Sequence, residues 1–384
     1  MFLEKLIERN SRLVEFAVRE HQAGRILPDS YIVDVDAFKE NAEAILAEAG
    51  KHSFKLYFML KQLGRNPYLA SLLQDMGYDG AVAVDFKEAC VMMENGIRLG
   101  NVGHLVQIPD SMISKVVAYG AENITVYSEE KIRRINDEAG KLGKTQGILI
   151  RVVSDNDYIY PGQTAGFDLS ELPSLVEFIR ALGNIRINGV TSFPCYLYSK
   201  ESGDIEPTEN LRTVLKAEEI LISLGYGDLV INTPSTTSVR TIQRMAECGG
   251  NCGEPGHGLT GTTPLHAASD EPEIPAVLYL TEVSHSFKGD AYAYGGGHYR
   301  RSHMENALVG RSAQSLRHMS VTPPSMDSID YHFTLSGKAE VGETVVTAFR
   351  FQVFVTRSDV VLVEGLSEGK GRIAGVYDSL GRRK

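Results

Sequence analysis

Eight short apolar runs, each followed by a helical pattern or a turn, set the tightest limit on how this chain can fold. The runs are "KLYFMLK" (55–61), "GAVAVD" (80–85), "NVGHLVQI" (101–108), "NITVYS" (123–128), "GILIRVV" (147–153), "RINGVTSF" (186–193), "DLVINTPS" (228–235) and the weaker, glycine-rich "GGNCGEPG" (249–256). Rich in Val, Ile, Leu and aromatic residues, they read as parallel strands buried on both faces. Helical patterns such as "PYLASLLQDMGY", "FKEACVMMENGI", "EEKIRRINDEAGKLG" and "ENLRTVLKAEEILISLGY" lie between them. Eight such units match a closed (β/α)8 barrel of the TIM type better than an open, doubly wound sheet. From about residue 270 the texture changes: after "DEPEIP" come "AVLYLTEVSHSF", "ETVVTAFRFQVFV" and "DVVLVEG", separated by Gly and Pro turns. The expected organisation is an α/β barrel over 31–269 and a smaller, mainly-β domain over 270–384, with a helical arm of unassigned role over 1–30.

A net charge of −10 argues against a nucleic-acid surface and offers no basic patch to anionic lipid. The start, "MFLEKLIERNSRLVEFAVREH", carries acids throughout and lacks the basic start and unbroken apolar core of a signal peptide. No apolar run approaches the ~20 residues of a membrane span. The four cysteines (Cys90, Cys195, Cys248, Cys252) show no disulfide-framework spacing and fit a reducing cytoplasm.

In a (β/α)8 barrel, chemistry sits at the carboxyl ends of the strands. Those ends carry Lys61, His104, Ser192 with Phe193, Ser235 and Glu254. Lys61 has two readings: a surface lysine at a strand exit, or a desolvated amine of the kind that forms Schiff bases, since burial favours the neutral nucleophile. "NTPSTTS" (232–238) offers hydroxyls and amides before a helix start, which also suits an ordinary N-cap. "GEPGHGLTG" (253–261) is glycine-rich after the last strand, where amides can approach a phosphate closely. A lysine after the first strand and two donor-rich loops after the seventh and eighth suit pyridoxal 5'-phosphate.

The chain resembles the alanine racemase-like (fold type III) family of pyridoxal-phosphate proteins, and within it the YhfX-type branch. The motifs that carry the resemblance are "YIVDVDAFKENAEAI", "MLKQLGRNP", "VAVDFKEACVMMENGI", "NTPSTTS" and "EPGHGLTG", five in order at barrel spacing. The resemblance implies that Lys61 holds the cofactor aldehyde. It implies that Ser235 and the amides of Gly256 and His257 hold the phosphate, the His257 side chain being dispensable or a local cap. Arg65 falls where relatives place a phosphate-contacting aromatic, a contact an arginine can make through charge.

Two departures stand out. Glu254 occupies the place where alanine racemases set an arginine against the pyridine nitrogen. A carboxylate there would keep that nitrogen protonated and strengthen the ring as an electron sink, which opens elimination and retro-aldol cleavage beside racemisation. Relatives often place histidine under the ring in a "THF" triplet, where this chain has "TSF" with Ser192. Racemisation needs two bases on opposite faces. Lys61 serves one. The resemblance implies for the other a tyrosine of the partner subunit's second domain, with candidates Tyr292, Tyr294 and Tyr299, and Tyr294 before Gly295 matching the family's Tyr-Gly pattern best. A turn with no catalytic role is the competing reading. His298, His303, Cys248 and Cys252 match no zinc-site spacing, and no metal is expected. The function expected is therefore a pyridoxal-phosphate-dependent amino-acid racemase or epimerase, active as a homodimer with shared sites on a small amino-acid substrate. A lyase resembling D-serine dehydratase or D-threonine aldolase, or a non-catalytic cofactor carrier, remains the alternative.

Overall fold

The structure, a computed structural model, describes residues 2–325 and 327–384. It divides into two compact units, Ile45–Leu60 with Pro67–Gly256, and Met1–Ala44 with Lys61–Asn66 and His257–Lys384.

The first unit is the barrel. Its strands are Lys55–Phe58, Gly80–Ala83, Leu99–Val102, Asn123–Val126, Gln146–Val153, Ile185–Thr191, Val230–Asn232 and Cys252–Gly253. Each pairs in parallel with the next, and the last closes on the first through Cys252↔Lys55 and Gly253↔Leu56. All eight lie in or against the runs read from sequence. The last two are shorter than the apolar pattern suggests, because Gly and Pro leave the ladder early. The intervening helices follow their local chemistry. Glu129–Lys141 starts at Ser128, whose hydroxyl accepts the Lys131 N–H, has Glu129 and Glu130 in its first turn, and buries Ile132, Ile135 and Ala139 on one face. Inside the barrel, Tyr57 packs with Met59, Val82, Val84 and Cys252. It fits because residue 100 is glycine: a Cβ there would overlap the Tyr57 ring.

The second unit is built on antiparallel strands. Val277–Phe287, Asp290–Tyr294, His332–Leu335, Arg317–Thr322, Asn306–Gly310 and Thr344–Thr347 pair in that order, and the last returns to the first. Ser30–Asp34 extends this sheet, antiparallel to Val277–Phe287 and parallel to Asp359–Glu364. This corrects the assignment of "YIVDVD" to the barrel. A strand buried along its whole length has the same composition in either sheet, so its partners were not legible. The segment "FRFQVFV" also departs from expectation: the strand ends at Thr347, and Val353–Val355 form a 3-10 turn, although Phe349, Phe351 and Val353 are buried.

The amino-terminal arm has a role here. Helices Phe2–Arg9 and Ser11–Gln22 bury Leu3, Leu6, Leu13, Phe16 and Ala17 against Leu278, Leu280, Val346 and Val361 of the sheet. Asn10 caps the second helix by accepting the Leu13 N–H, and its amide donates to Asp34 Oδ2 (2.9 Å) and the Pro275 carbonyl (3.0 Å). No helix among the described residues is long and apolar enough to cross a membrane.

Candidate functional site

In the barrel unit, the strand ends gather a buried polar cluster around Glu254. Asn232 donates from Nδ2 to Glu254 Oε1 (2.8 Å) and to Thr191 Oγ1 (3.2 Å). His104 Nε2 lies 3.6 Å from Glu254 Oε2, and both side chains are almost wholly removed from solvent. The Glu254 N–H donates to Thr237 Oγ1 (3.1 Å). A carboxylate this buried costs several kcal/mol unless it is opposed. Here an amide and an imidazole oppose it. Phe193 sets its ring edge-on to His104 (5.6 Å between centroids), and Tyr160 continues the aromatic wall (5.8 Å). Asn232 Oδ1 and Thr233 Oγ1 are buried with no hydrogen-bond partner among the described residues. Such atoms in a native fold call for an explanation, and a ligand supplies one.

Ser235 lies just past this cluster. The chain leaves Val230–Asn232 and turns through Ser235 (φ 123°) and Thr236 (φ 55°) before the helix Val239–Glu247 begins. Side-chain-bearing residues rarely occupy this left-handed region, at a cost of roughly 1–3 kcal/mol. Consecutive unusual turns of this kind can align backbone amides toward an anion. Ser238 caps the helix, with its own N–H donating to Thr241 Oγ1 (2.8 Å). Ser192 is buried and accepts from Asn210 Nδ2 (3.1 Å).

Sequence reading missed three participants. Thr191 and Asn232 are two, and a polar residue closing an apolar run ("LVIN") is the signal that could have flagged the second. Arg151 is the third, an arginine inside "GILIRVV". It shares the cross-barrel row of Thr191 and Asn232. It is 2% exposed, donates to the Gln163 carbonyl (3.0 Å) and lies over the Tyr127 ring.

Lys61 follows the first barrel strand after Leu60. Two residues earlier the Met59 N–H donates to the Pro255 carbonyl (2.9 Å), so the strand end runs beside the Glu254–Pro255 segment. Lys61 itself opens a 3-10 turn, Lys61–Leu63, which packs on Val353–Val355 within the second unit. Gly64 (φ 68°) and Arg65 (φ 59°) follow in left-handed conformation, and the buried Arg65 guanidinium lies 5.3 Å over the Phe354 ring. His257, in the same unit, meets Thr262 Oγ1 through Nδ1 (2.9 Å) and sets its ring on Phe351 (5.2 Å). Burial, then the positive Arg350 and Lys61, hold its pKa well below the usual imidazole range, which leaves it neutral.

Of the tyrosines, Tyr292 stacks flat on His285 (4.9 Å). Tyr294 ends its strand 40% exposed, 6.2 Å from His332. Tyr299 is half-buried in the segment beyond the glycines. Among the described residues there is no group of three or more His, Cys, Asp or Glu arranged to hold a metal ion.

Comparison with known proteins gives two family matches. Residues 33–264 match the alanine racemase N-terminal domain, and residues 278–373 match the YhfX-like C-terminal domain. The chain is 44% identical over 382 residues to the uncharacterized protein YhfX of Escherichia coli (strain K12), covering 99% of each. Among solved structures it is similar to D-threo-3-hydroxyaspartate dehydratase from Delftia sp. HT23 (TM-score 0.67, 16% identity, 91% of this chain and 97% of that one). It is also similar to alanine racemase of Clostridium difficile 630 in complex with cycloserine (0.65, 16%, 92% and 99%). D-threonine aldolase from Filomicrobium marinum matches as well (0.65, 15%, 93% and 96%). At such identities these three speak for the fold alone.

Proposed function

The chain belongs to the alanine racemase-like family, in the branch with a YhfX-like C-terminal domain, and from that premise we propose that it is a pyridoxal 5'-phosphate-dependent amino-acid racemase or epimerase acting as a homodimer. The observation that supports the cofactor, common to racemase and lyase, is Glu254, a carboxyl group buried at the end of the last barrel strand and held by Asn232 beside His104. A buried acid there has little structural reason and a clear chemical one: it would keep a proton on the ring nitrogen of a bound cofactor.

The residue types at these positions suit the cofactor. Lys61 is the amine that would hold its aldehyde. The strained Ser235–Thr236 turn and the Gly256 amide would hold its phosphate, with Arg65 and the His257 amide assisting. Glu254 would hold the ring nitrogen, and His104 and Ser192 would line the ring. When bound, the cofactor supplies an electron sink for the pair left as a Cα–H bond breaks. The chain supplies the proton chemistry. The Lys61 amine takes or returns the proton on one face of Cα. The phenol of Tyr294, from the partner subunit, does the reverse on the other face, with Tyr292 the second candidate. Phe193 and Tyr160 exclude water beside His104.

Glu254 also favours a second reading, a lyase on a β-hydroxy or D-amino acid, because a protonated ring nitrogen supports cleavage at Cβ. Two measurements test the proposal. The purified protein should show the absorbance of a lysine-bound cofactor, lost in Lys61→Ala. Incubation with single L-amino acids in D2O should exchange Cα–H for deuterium without release of ammonia or aldehyde. Release would select the lyase, and a protein without the absorbance would end both readings.

A further inference from the structure

Tyr294 is followed by Gly295, Gly296 and Gly297, and each glycine is enforced by what surrounds it. A Cβ at Gly295 would overlap the Asp330 carbonyl, one at Gly296 the Asp29 carboxylate, and one at Gly297 the Tyr279 ring. The turn is held almost atom by atom. Asp330 Oδ2 accepts the Gly296 N–H (3.1 Å) and the His298 N–H (3.3 Å). Arg357 donates from Nη1 to Asp330 Oδ1 (2.9 Å) and from Nη2 to the Asp330 carbonyl (2.9 Å). The Gly295 N–H donates to the Tyr331 carbonyl (2.7 Å), the Tyr31 hydroxyl to the Gly297 carbonyl (2.6 Å), and Thr281 Oγ1 to the Tyr294 carbonyl (2.7 Å).

This order is costly to build. Asp29, beside the same turn, has φ 61°. Its carboxylate is desolvated and close enough to Asp330 to feel its charge. Strain and desolvation of this kind concentrate where a fold must hold one conformation. The Tyr294 ring is substantially exposed, so side-chain packing does little to aim it, and the backbone on either side does most of the work.

We infer that Asp330, braced by Arg357, is a positioning residue for Tyr294: it fixes the three-glycine turn that aims the phenol. This rests on the reading of Tyr294 as an acid/base group. The experiment compares Tyr294→Phe, Asp330→Asn, Arg357→Gln and Arg357→Lys as full-length, cofactor-loaded proteins. It follows Cα–H exchange in D2O on the common L- and D-amino acids supplied singly, together with cofactor absorbance and amide exchange of the 295–298 peptide. Misplacement of a reacting group by about 1 Å can cost ~10²-fold. Asp330→Asn and Arg357→Gln should therefore lower kcat by about tenfold or more. KM and absorbance should stay unchanged, amide exchange at 295–298 should speed up, and Arg357→Lys should recover part of the loss. If Asp330→Asn keeps parental kcat while Tyr294→Phe loses it, the inference is overturned and the reading of Tyr294 stands. Loss of cofactor absorbance in Asp330→Asn would mark a merely structural residue and also overturn it. If Tyr294→Phe exchanges both enantiomers like the parent, or no amino acid exchanges at all, the reading and the inference fall together.

Discussion

The Asp29→Asn substitution turns one buried carboxylate into a measurable pH dependence. Burial pushes Asp29 up to about 6 from its ordinary 3.8, against the opposing hydrogen bonds of Ser358 and Tyr279 and the charge of Arg357, with Asp330 adding repulsion. The folded state therefore holds a proton that the unfolded chain has released between these two values. Stability from this group rises as pH falls through about 6 and levels off near 4, a total of about 3 kcal/mol. From about pH 7.5 to about pH 4.5 the share is about 2 kcal/mol. Asparagine suits the site: it tolerates the positive φ of residue 29, and its Oδ1 can still accept from the Tyr279 hydroxyl (2.9 Å) and from Ser358. It does not titrate. Other groups titrate in both proteins and cancel in the comparison. Urea unfolding of parent and variant, followed by circular dichroism across this pH range, should show the parent gaining about 2 kcal/mol on the variant toward acid. Parallel pH profiles, or a parent that loses ground as pH falls, would refute the assignment of a desolvated, charge-crowded carboxylate at this turn.

Other outcomes follow from the same coordinates. Glu254→Gln keeps the shape and can still accept from Asn232, but it removes the charge; Cα–H exchange should fall by about 10–100-fold while the Lys61-dependent absorbance remains, measured by NMR and visible spectroscopy. Asn10→Ala deletes a helix cap and two buried hydrogen bonds, to Asp34 and Pro275, and should cost about 2 kcal/mol in chemical denaturation. Gly100→Ala would press a methyl into the Tyr57 ring and should lower the unfolding midpoint, at a cost of about 1–3 kcal/mol.

The barrel was legible because a strand buried on both faces has a compositional signature that survives without knowing its neighbours. "GILIRVV" and "NITVYS" announce themselves, and so does the spacing between them. What composition cannot report is pairing. Ser30–Asp34 has the same signature and joins a different sheet, and nothing within these five residues tells Val277–Phe287 from a barrel strand as its partner. The arm was opaque for a related reason: an amphipathic helix declares that it packs, but the surface receiving Leu6, Leu13 and Phe16 is made by residues more than two hundred positions away. The site divided along similar lines. Lys61, Ser235 and Glu254 stood out as reactive types at strand ends. Asn232, Thr191 and Arg151 share a row that exists only once the strands are in register.

That row bears on the choice between racemase and lyase. The folds of the dehydratase, the racemase and the aldolase resemble this one about equally well, so the backbone does not discriminate among them. Nor does the electronic setting, which serves either chemistry. Glu254 is a buried carboxyl flanked by an amide donor and an imidazole, both shielded from water, and a cation meeting it would further offset the cost of that burial. In the proposed reading, a protonated ring nitrogen would fill that role. With such a cofactor bound, the outcome would turn on which acid meets the carbon after the Cα–H bond breaks. A phenol at Tyr294 would return a proton to Cα and favour inversion, whereas a group placed over Cβ would expel a leaving group. The exchange experiment with Tyr294→Phe therefore separates the two chemistries more sharply than any substrate screen. In a racemase it abolishes exchange from one enantiomer while leaving the other to Lys61. In a lyase it leaves product release intact.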